Sequence, residues 1–278
     1  MIAAFLDLDR TLIHSARSVG VRREGLTVVE LIDGAESAFA PRELAADLAA
    51  LAADIALVPT TTRSLAQLKR VTLFDDVPHR FEIAANGGVI LEHGSPDIEW
   101  SAHIAGAVRG AGVSVRRVRD LVAGLVPGSV VRIVDDVFVY LVSPAEEEAE
   151  EAAALLGPLA DDLGWRCSRQ GRKVYLVPAA VEKAVAVSEV ARRLGTRIVL
   201  AAGDAELDRR MLGEADHAVV PAHADVVRPP GVHATASSGP LASSEIVRWL
   251  RDVVDQCAHR SASAEPESKE TPWTSVAG

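Results

Sequence analysis

The chain has 278 residues, 49% of them hydrophobic, and a formal net charge of −10, which is enough apolar material for one large core or two. The acidic balance, with no run of Lys and Arg, argues against a nucleic-acid or anionic-membrane partner, since phosphate backbones are held by clustered cations. Cys167 and Cys257 stand far apart with no partner at metal-ligand spacing, so neither a disulfide framework nor a zinc site is expected, and a reducing cytoplasm fits best.

The N-terminal stretch "MIAAFLDLDRTLIHS" reads as an apolar strand that delivers Asp7, Asp9 and Thr11. It has no basic lead and its apolar run is interrupted by the two acids, so neither a signal peptide nor a spanning helix is expected. Next comes "SVGVRREGLTVVELIDGAESAFA", which suits a hairpin or flap beside the strand end. In "PRELAADLAALAAD" a proline sits at the expected first helical position, with Leu and Ala at helical spacing. The strand "DIALVPTTT" follows and ends in Thr60, Thr61 and Arg63, completing a βαβ unit of a parallel sheet. The segment "IAANGGVIL" holds an Asn-Gly turn at Asn86 and Gly87.

Residues 90–178 behave differently. The stretches "SVVRIVDDVFVYLVSP" and "RKVYLVP" alternate like antiparallel strands around an Ala- and Glu-rich helical run whose acids suit a solvated face. The α/β alternation resumes with the helix "VEKAVAVSEVARRLG", the strand "RIVLAAGD" with Asp204, "ELDRRMLGEA" with Asp208, and "HAVVP". The expected organisation is therefore a core of residues 1–89 and 179–257, an α+β module of 90–178, and a disordered tail of 258–278 rich in Ser, Pro, Glu and Thr. Trp273 in that tail could dock.

Ligands of open parallel sheets gather outside the carboxyl ends of the strands. There the sequence places Asp7, Asp9, Thr11, Thr60, Thr61, Arg63, Asp204 and Asp208, with Lys183 at the start of a helix. Several carboxylates at one point repel unless a hard cation joins them, and oxygen ligands of this kind suit Mg²⁺ with water and a substrate phosphate. One carboxylate can attack a phosphoryl group in line while its neighbour protonates the leaving alcohol and later activates water.

"FLDLDRTLI", "ALVPTTTRS", Lys183 in "AAVEKAVAV" and "LAAGDAELDRRML" resemble, in order, the four motifs of the haloacid dehalogenase (HAD) superfamily. The inserted module resembles the C2-type cap of its sucrose-phosphatase-like, subfamily IIB members. The resemblance spans residues 1–255 and implies a Rossmann-like α/β core with an inserted α+β cap. It also implies a phosphoric monoester hydrolase acting on a small phosphorylated metabolite such as a sugar phosphate. It makes Asp7 the nucleophile, Asp9 the acid and base, Thr61 a phosphoryl ligand and Lys183 a charge stabiliser. Asp204 would bind Mg²⁺ with Asp7 and the Asp9 carbonyl, Asp208 would support the metal or Lys183, and Thr11, Arg63 and Asn86 would meet substrate.

Three departures stand out. Leu207 occupies a place that is commonly Asn, Arg10 one that is frequently Gly, and the insert after Thr11 is long. A phosphomutase would need the same acids, and a non-catalytic binding protein of the same fold is the alternative from another class. Cap arginines Arg116, Arg117, Arg119, Arg132 and Arg172 are the candidates for contacts that set specificity. The eight histidines have no ligand pairing and suit surface or packing positions.

Overall fold

A computed structural model describes residues 1–21 and 23–263. Its N-terminal third runs β1 (Ile2–Leu6), β2 (His14–Ser15), α1 (Ala16–Val19), β3 (Leu26–Ile32), β4 (Ala35–Pro41), α2 (Leu44–Ala52), β5 (Ala56–Pro59) and α3 (Leu65–Leu68). A hairpin follows, of β6 (Phe81–Ala84), β7 (Val89–Glu92) and β8 (Ser95–Pro96), and carries the chain across residue 90. The middle section holds α4 (Ile98–Gly110), α5 (Val115–Leu125), β9 (Val130–Val134), β10 (Phe138–Val142), α6 (Glu146–Asp162), β11 (Trp165–Gln170) and β12 (Lys173–Pro178). The chain then returns through α7 (Lys183–Leu194), β13 (Ile198–Ala202), α8 (Arg209–Glu214), β14 (His217–Val220), β15 (His233–Ala234) and α9 (Pro240–Ser263).

The central sheet is parallel, in the order β15-β14-β13-β1-β5. Strand β1 lies inside it, with Ala3 to Leu6 fully buried, which is why it reads as an unbroken apolar run rather than an alternating one. The ladder continues one step beyond the strands: the Asp7 amide donates to Ala202 O at 2.9 Å and the Thr60 amide to Leu6 O at 2.8 Å. These bonds bring Asp7, Thr60 and the chain after Ala202 to one edge.

Strands β9 to β12 form a separate antiparallel sheet, ordered β11-β12-β10-β9, with α6 packed on β11 and β12 and α5 on β9 and β10. The acids at the start of α6 are exposed, as a solvated face requires. The insert after Thr11 is the antiparallel β3–β4 hairpin, joined at its base by β2.

Two sequence expectations are corrected. Pro41 closes β4 instead of opening the helix, which starts at Leu44 after Glu43; a proline is tolerated at a strand end, where no ladder donor is required. Helix α9 continues to Ser263, past the expected start of the tail at 258, because no Pro or Gly interrupts it before Pro266. The rest of that expectation, Trp273 included, lies outside the described residues. Among the described residues no helix is long and apolar enough to cross a membrane.

Candidate active site

Asp7 follows β1 directly and is buried, 4% exposed. Its Oδ1 accepts from Lys183 Nζ at 2.6 Å and its Oδ2 from Thr11 Oγ1 at 3.1 Å. Lys183 is the first residue of α7, where the positive helix end makes a lone ammonium unwelcome. Two carboxylates hold it, since Lys183 Nζ also donates to Asp208 Oδ1 at 2.6 Å. Burial alone would lower the lysine's proton affinity, yet Asp208 and Asp7 outweigh it and keep the ammonium charged.

Asp208 is fixed from its other side as well. Its Oδ2 accepts from the backbone amides of Asp204 and Ala205 at 3.1 and 3.0 Å. The approach needs Gly203, for a Cβ there would stand 2.6 Å from Asp208 Cγ. Asp204 itself is 1% exposed. Gln170 Nε2 donates to both its oxygens at 3.1 and 3.3 Å, and Arg10 Nε lies 3.3 Å from Oδ2. Arg10 reaches this place from a backbone φ of 65°, the left-handed region that explains why glycine is frequent there, and it also pairs with Asp225.

Oxygen atoms of Asp7, Asp204 and Asp208 all lie within 4.8 Å of one another. Burial, reinforced by the charges of Asp208 and Asp9 and opposed by Lys183, pushes the Asp7 carboxyl up to about 7. Burial and the charges of Asp7 and Asp208 raise Asp204 well above the carboxylate range. An all-oxygen set whose negative charge exceeds that of its one enclosed ammonium fits a hard divalent cation such as Mg²⁺.

Asp9 takes no part in that carboxylate cluster. Its side chain turns to Arg63, which grips it in bidentate fashion, Nε to Oδ2 at 2.7 Å and Nη2 to Oδ1 at 2.9 Å. Burial works to raise the Asp9 carboxyl, but the guanidinium overrides it and holds the group at about 2. Arg63 in turn pairs through Nη1 with Glu30 Oε1 at 2.9 Å. Its backbone amide donates to the buried Thr61 Oγ1 at 3.1 Å, and the Ser64–Gln67 capping box starts α3 directly after it.

The geometry therefore brings Asp7, Thr11, Lys183, Asp204 and Asp208 into contact, and joins Asp9 to Arg63. Thr11 and Arg63 spend their donors on Asp7, Asp9 and Glu30. Asn86 is elsewhere: its Nδ2 donates to Val181 O at 3.3 Å while its Oδ1 has no partner, and it faces a crevice on the far side of residues 206–207. A Cβ at Gly87, where φ is 92°, would meet Glu182 O at 2.4 Å, so this turn packs directly against the start of α7. Neither cavity bordering Asp9 is lined by Arg116, Arg117, Arg119, Arg132 or Arg172.

Sequence reasoning passed over Gln170, Lys173, Tyr140, Tyr175, Thr62 and Glu30, which line the recesses around Asp7 and Asp9. A lone acid in the apolar run "LTVVELI" and the polar turn "RQGRK" between two strands were the available signals.

This sheet order, with the acids at its edge and the antiparallel module inserted before α7, is a fold shared with solved HAD-superfamily structures. Among solved structures, sucrose-phosphatase from Synechocystis, bound to sucrose and phosphate, superposes with a TM-score of 0.61 at 14% identity, over 93% of this chain and 97% of that one. The C-terminal domain of trehalose-6-phosphate phosphatase from C. albicans does so with 0.56 at 14%, over 91% and 93%. A HAD-superfamily phosphatase from Bacteroides thetaiotaomicron gives 0.53 at 17%, over 91% and 94%. No family model matches the chain and no curated protein matches it in sequence.

Proposed function

We propose that the chain is a Mg²⁺-dependent phosphatase that hydrolyses a small phosphorylated metabolite, a sugar phosphate by class, through an aspartyl-phosphate on Asp7. The observation that carries this reading is Asp7 itself, a buried carboxylate at the end of the central strand, held by Lys183 and Thr11 and facing Asp204 and Asp208. Nothing in the packing of a plain α/β core calls for three buried acids around one lysine. The names of the superposed structures, phosphatases of sucrose and trehalose phosphates, support the substrate class.

Asp7, Asp204 and the Asp9 carbonyl would hold Mg²⁺, with Asp208 supporting it, and the ion when bound offsets carboxylate charge and orients the phosphoryl oxygens. Asp7 attacks phosphorus in line, with Lys183 neutralising charge on the nucleophile and the transferring oxygens. Thr61, whose Oγ1 accepts from the Arg63 amide, keeps its hydroxyl proton to donate and is assigned to the phosphoryl group in this reading. Asp9 borders both recesses, as a group that serves the leaving oxygen and then the attacking water must. Its pairing with Arg63 keeps it ionised and aimed for the base step. The dianionic ester brought against it raises its proton affinity for the acid step. Residues 90–178 act as the cap, whose β11–β12 turn sends Gln170 onto Asp204 and limits water there.

A net charge of −10 favours a small ester over a polyanionic or membrane partner, and a chain with only two cysteines, of which Cys167 is pushed up to about 11 mainly by burial, suits the cytoplasm. The test is phosphate release from 4-nitrophenyl phosphate and a panel of sugar phosphates, with and without Mg²⁺. Release that needs Mg²⁺ and disappears in Asp7→Asn is expected. Folded protein that binds Mg²⁺ yet releases no phosphate from any ester would contradict it and favour a binding role.

A further inference from the structure

Beside Asp9, on the side away from the carboxylate cluster, lies a second cavity of about 230 Å³. It shares Asp9, Thr62 and Tyr175 with the recess at Asp7, so a group leaving phosphorus on the Asp9 side would have this space beside it. Its walls come from three parts of the chain: Glu30 of the inserted hairpin, Arg70 beyond α3, and Tyr140, Lys173 and Tyr175 of the antiparallel sheet.

Glu30 faces inward for a local reason. The β3–β4 pairing shifts register on both sides of Glu30, and the bulge turns two successive residues, Val29 and Glu30, toward the protein. Glu30 is 3% exposed and accepts from Arg63, Arg70 and Ser37 at 2.9, 3.2 and 3.3 Å. The carboxylates of Asp9 and Glu30 are thereby committed to Arg63 and Arg70. Two carboxylates face three cations, and the third, Lys173, forms no ion pair or side-chain hydrogen bond among the described residues. Tyr140 and Tyr175 sit opposite each other across β10 and β12, stacked at 6.0 Å. They are 8% and 5% exposed, and neither phenol makes a hydrogen bond among the described residues. The rings are buried while their hydroxyls are not among the buried orphan atoms and are left to meet what fills the cavity, and the exposed Lys173, which feels the charge of Asp9 without bonding to it, keeps its donors for an anion.

We propose that this cavity selects a polyhydroxylated leaving group that carries a second anionic group, with hydroxyls meeting Tyr140 and Tyr175 and the anion meeting Lys173 and Arg70. The proposal rests on the phosphatase reading and narrows its substrate class. A carboxylate and a second phosphate present the same chemistry to Lys173, and matched substrates separate them.

The experiment compares kcat/KM for 6-phosphogluconate against glucose 6-phosphate, and for fructose 1,6-bisphosphate against fructose 6-phosphate, in wild type, Lys173→Met and Lys173→Arg. Calorimetry of the same compounds on Asp7→Asn protein, with Lys173 intact or changed to Met, gives the corresponding ratios of Kd. In at least one pair the anionic member is favoured by tenfold or more, Lys173→Met reduces that preference below threefold, and Lys173→Arg retains most of it. The pair that responds identifies the carboxylate or the second phosphate. Preferences below threefold in both pairs, or an equal loss on both members in Lys173→Met, overturn the proposal while sugar-phosphate turnover leaves the phosphatase reading intact. If no ester, 4-nitrophenyl phosphate included, is hydrolysed with Mg²⁺, the phosphatase reading falls, and the Kd ratios alone decide the cavity's selectivity by the same thresholds.

Discussion

Arg63 shows how one side chain can set the state of another. Its fork satisfies both oxygens of Asp9 and still reaches Glu30, a geometry that lysine cannot copy. Arg63→Lys and Arg63→Met should therefore both lower kcat, by roughly 100-fold, the scale on which a displaced catalytic group costs rate. Steady-state kinetics on one sugar phosphate checks this, and an unchanged kcat with raised KM would make Arg63 a substrate ligand instead. Gly203 is the backbone counterpart. In Gly203→Ala the new Cβ would stand 2.6 Å from Asp208 Cγ, so Asp208 and Lys183 must shift. The expected result is a loss of roughly 100-fold or more in kcat/KM with folding retained by circular dichroism. Wild-type kinetics would show that the Asp208 contact has no catalytic consequence.

At this scale the sequence was informative about Asp7, Lys183, Asp204 and Asp208, because a chemical requirement stood behind each residue type at its strand or helix end. It was silent on Arg10 beyond the departure from glycine. Its contact with Asp204 depends on a φ of 65°, which no periodicity encodes.

Among the elements, β2 is the short strand that ties the inserted hairpin to the core. Its His14 is 1% exposed and its Nε2 lies 2.9 Å from Ser243 Oγ in α9. Burial above all, with the nearby charges of His223 and Arg10, pushes His14 down to about 4. The unfolded chain takes up that proton near 6.5, so the neutral form's contribution is complete above pH 6.5 and is lost as pH falls from 6.5 toward 4. Between pH 7.5 and 5 wild type should lose about 2 kcal/mol that a His14→Gln variant does not lose. Urea unfolding at the two pH values measures it, and parallel pH profiles would contradict it.

The βαβ alternation and the antiparallel middle section were readable because buried parallel strands form apolar runs while half-exposed strands alternate. The inward turn of Glu30 was not, since it depends on a register shift across the hairpin. Nor was the meeting of Tyr140 with Tyr175, which pairs residues from strands separated by the whole of α6 and β11.

For the whole molecule, the central sheet presents three buried acids close enough together to share one cation. Mg²⁺ at about 100 times its Kd should raise stability by about 2.7 kcal/mol through linkage, seen as a higher Tm in wild type and as little or no shift in Asp204→Ala. An equal shift in both proteins would place the ion away from Asp204. The long reach of these contacts explains what composition could and could not convey. An acidic, cysteine-poor chain argued only against a nucleic-acid or anionic-membrane partner and for a reducing compartment, whereas the proposed leaving-group cavity is built from side chains of the hairpin and the antiparallel sheet that meet only in the folded chain.

The central claim is that Asp7 forms a covalent bond to phosphorus, and the most direct measurement is reductive trapping. Protein carrying Asp9→Asn, which on the proposed assignment slows hydrolysis of the phosphoenzyme, is mixed with Mg²⁺ and a turned-over ester, quenched, treated with borohydride and read by peptide mass spectrometry. Conversion of residue 7 to homoserine, and its absence when Asp7 is replaced by Asn, is the predicted result. Turnover with residue 7 unmodified, or reduction at another carboxylate, would contradict the assignment of Asp7 as the nucleophile.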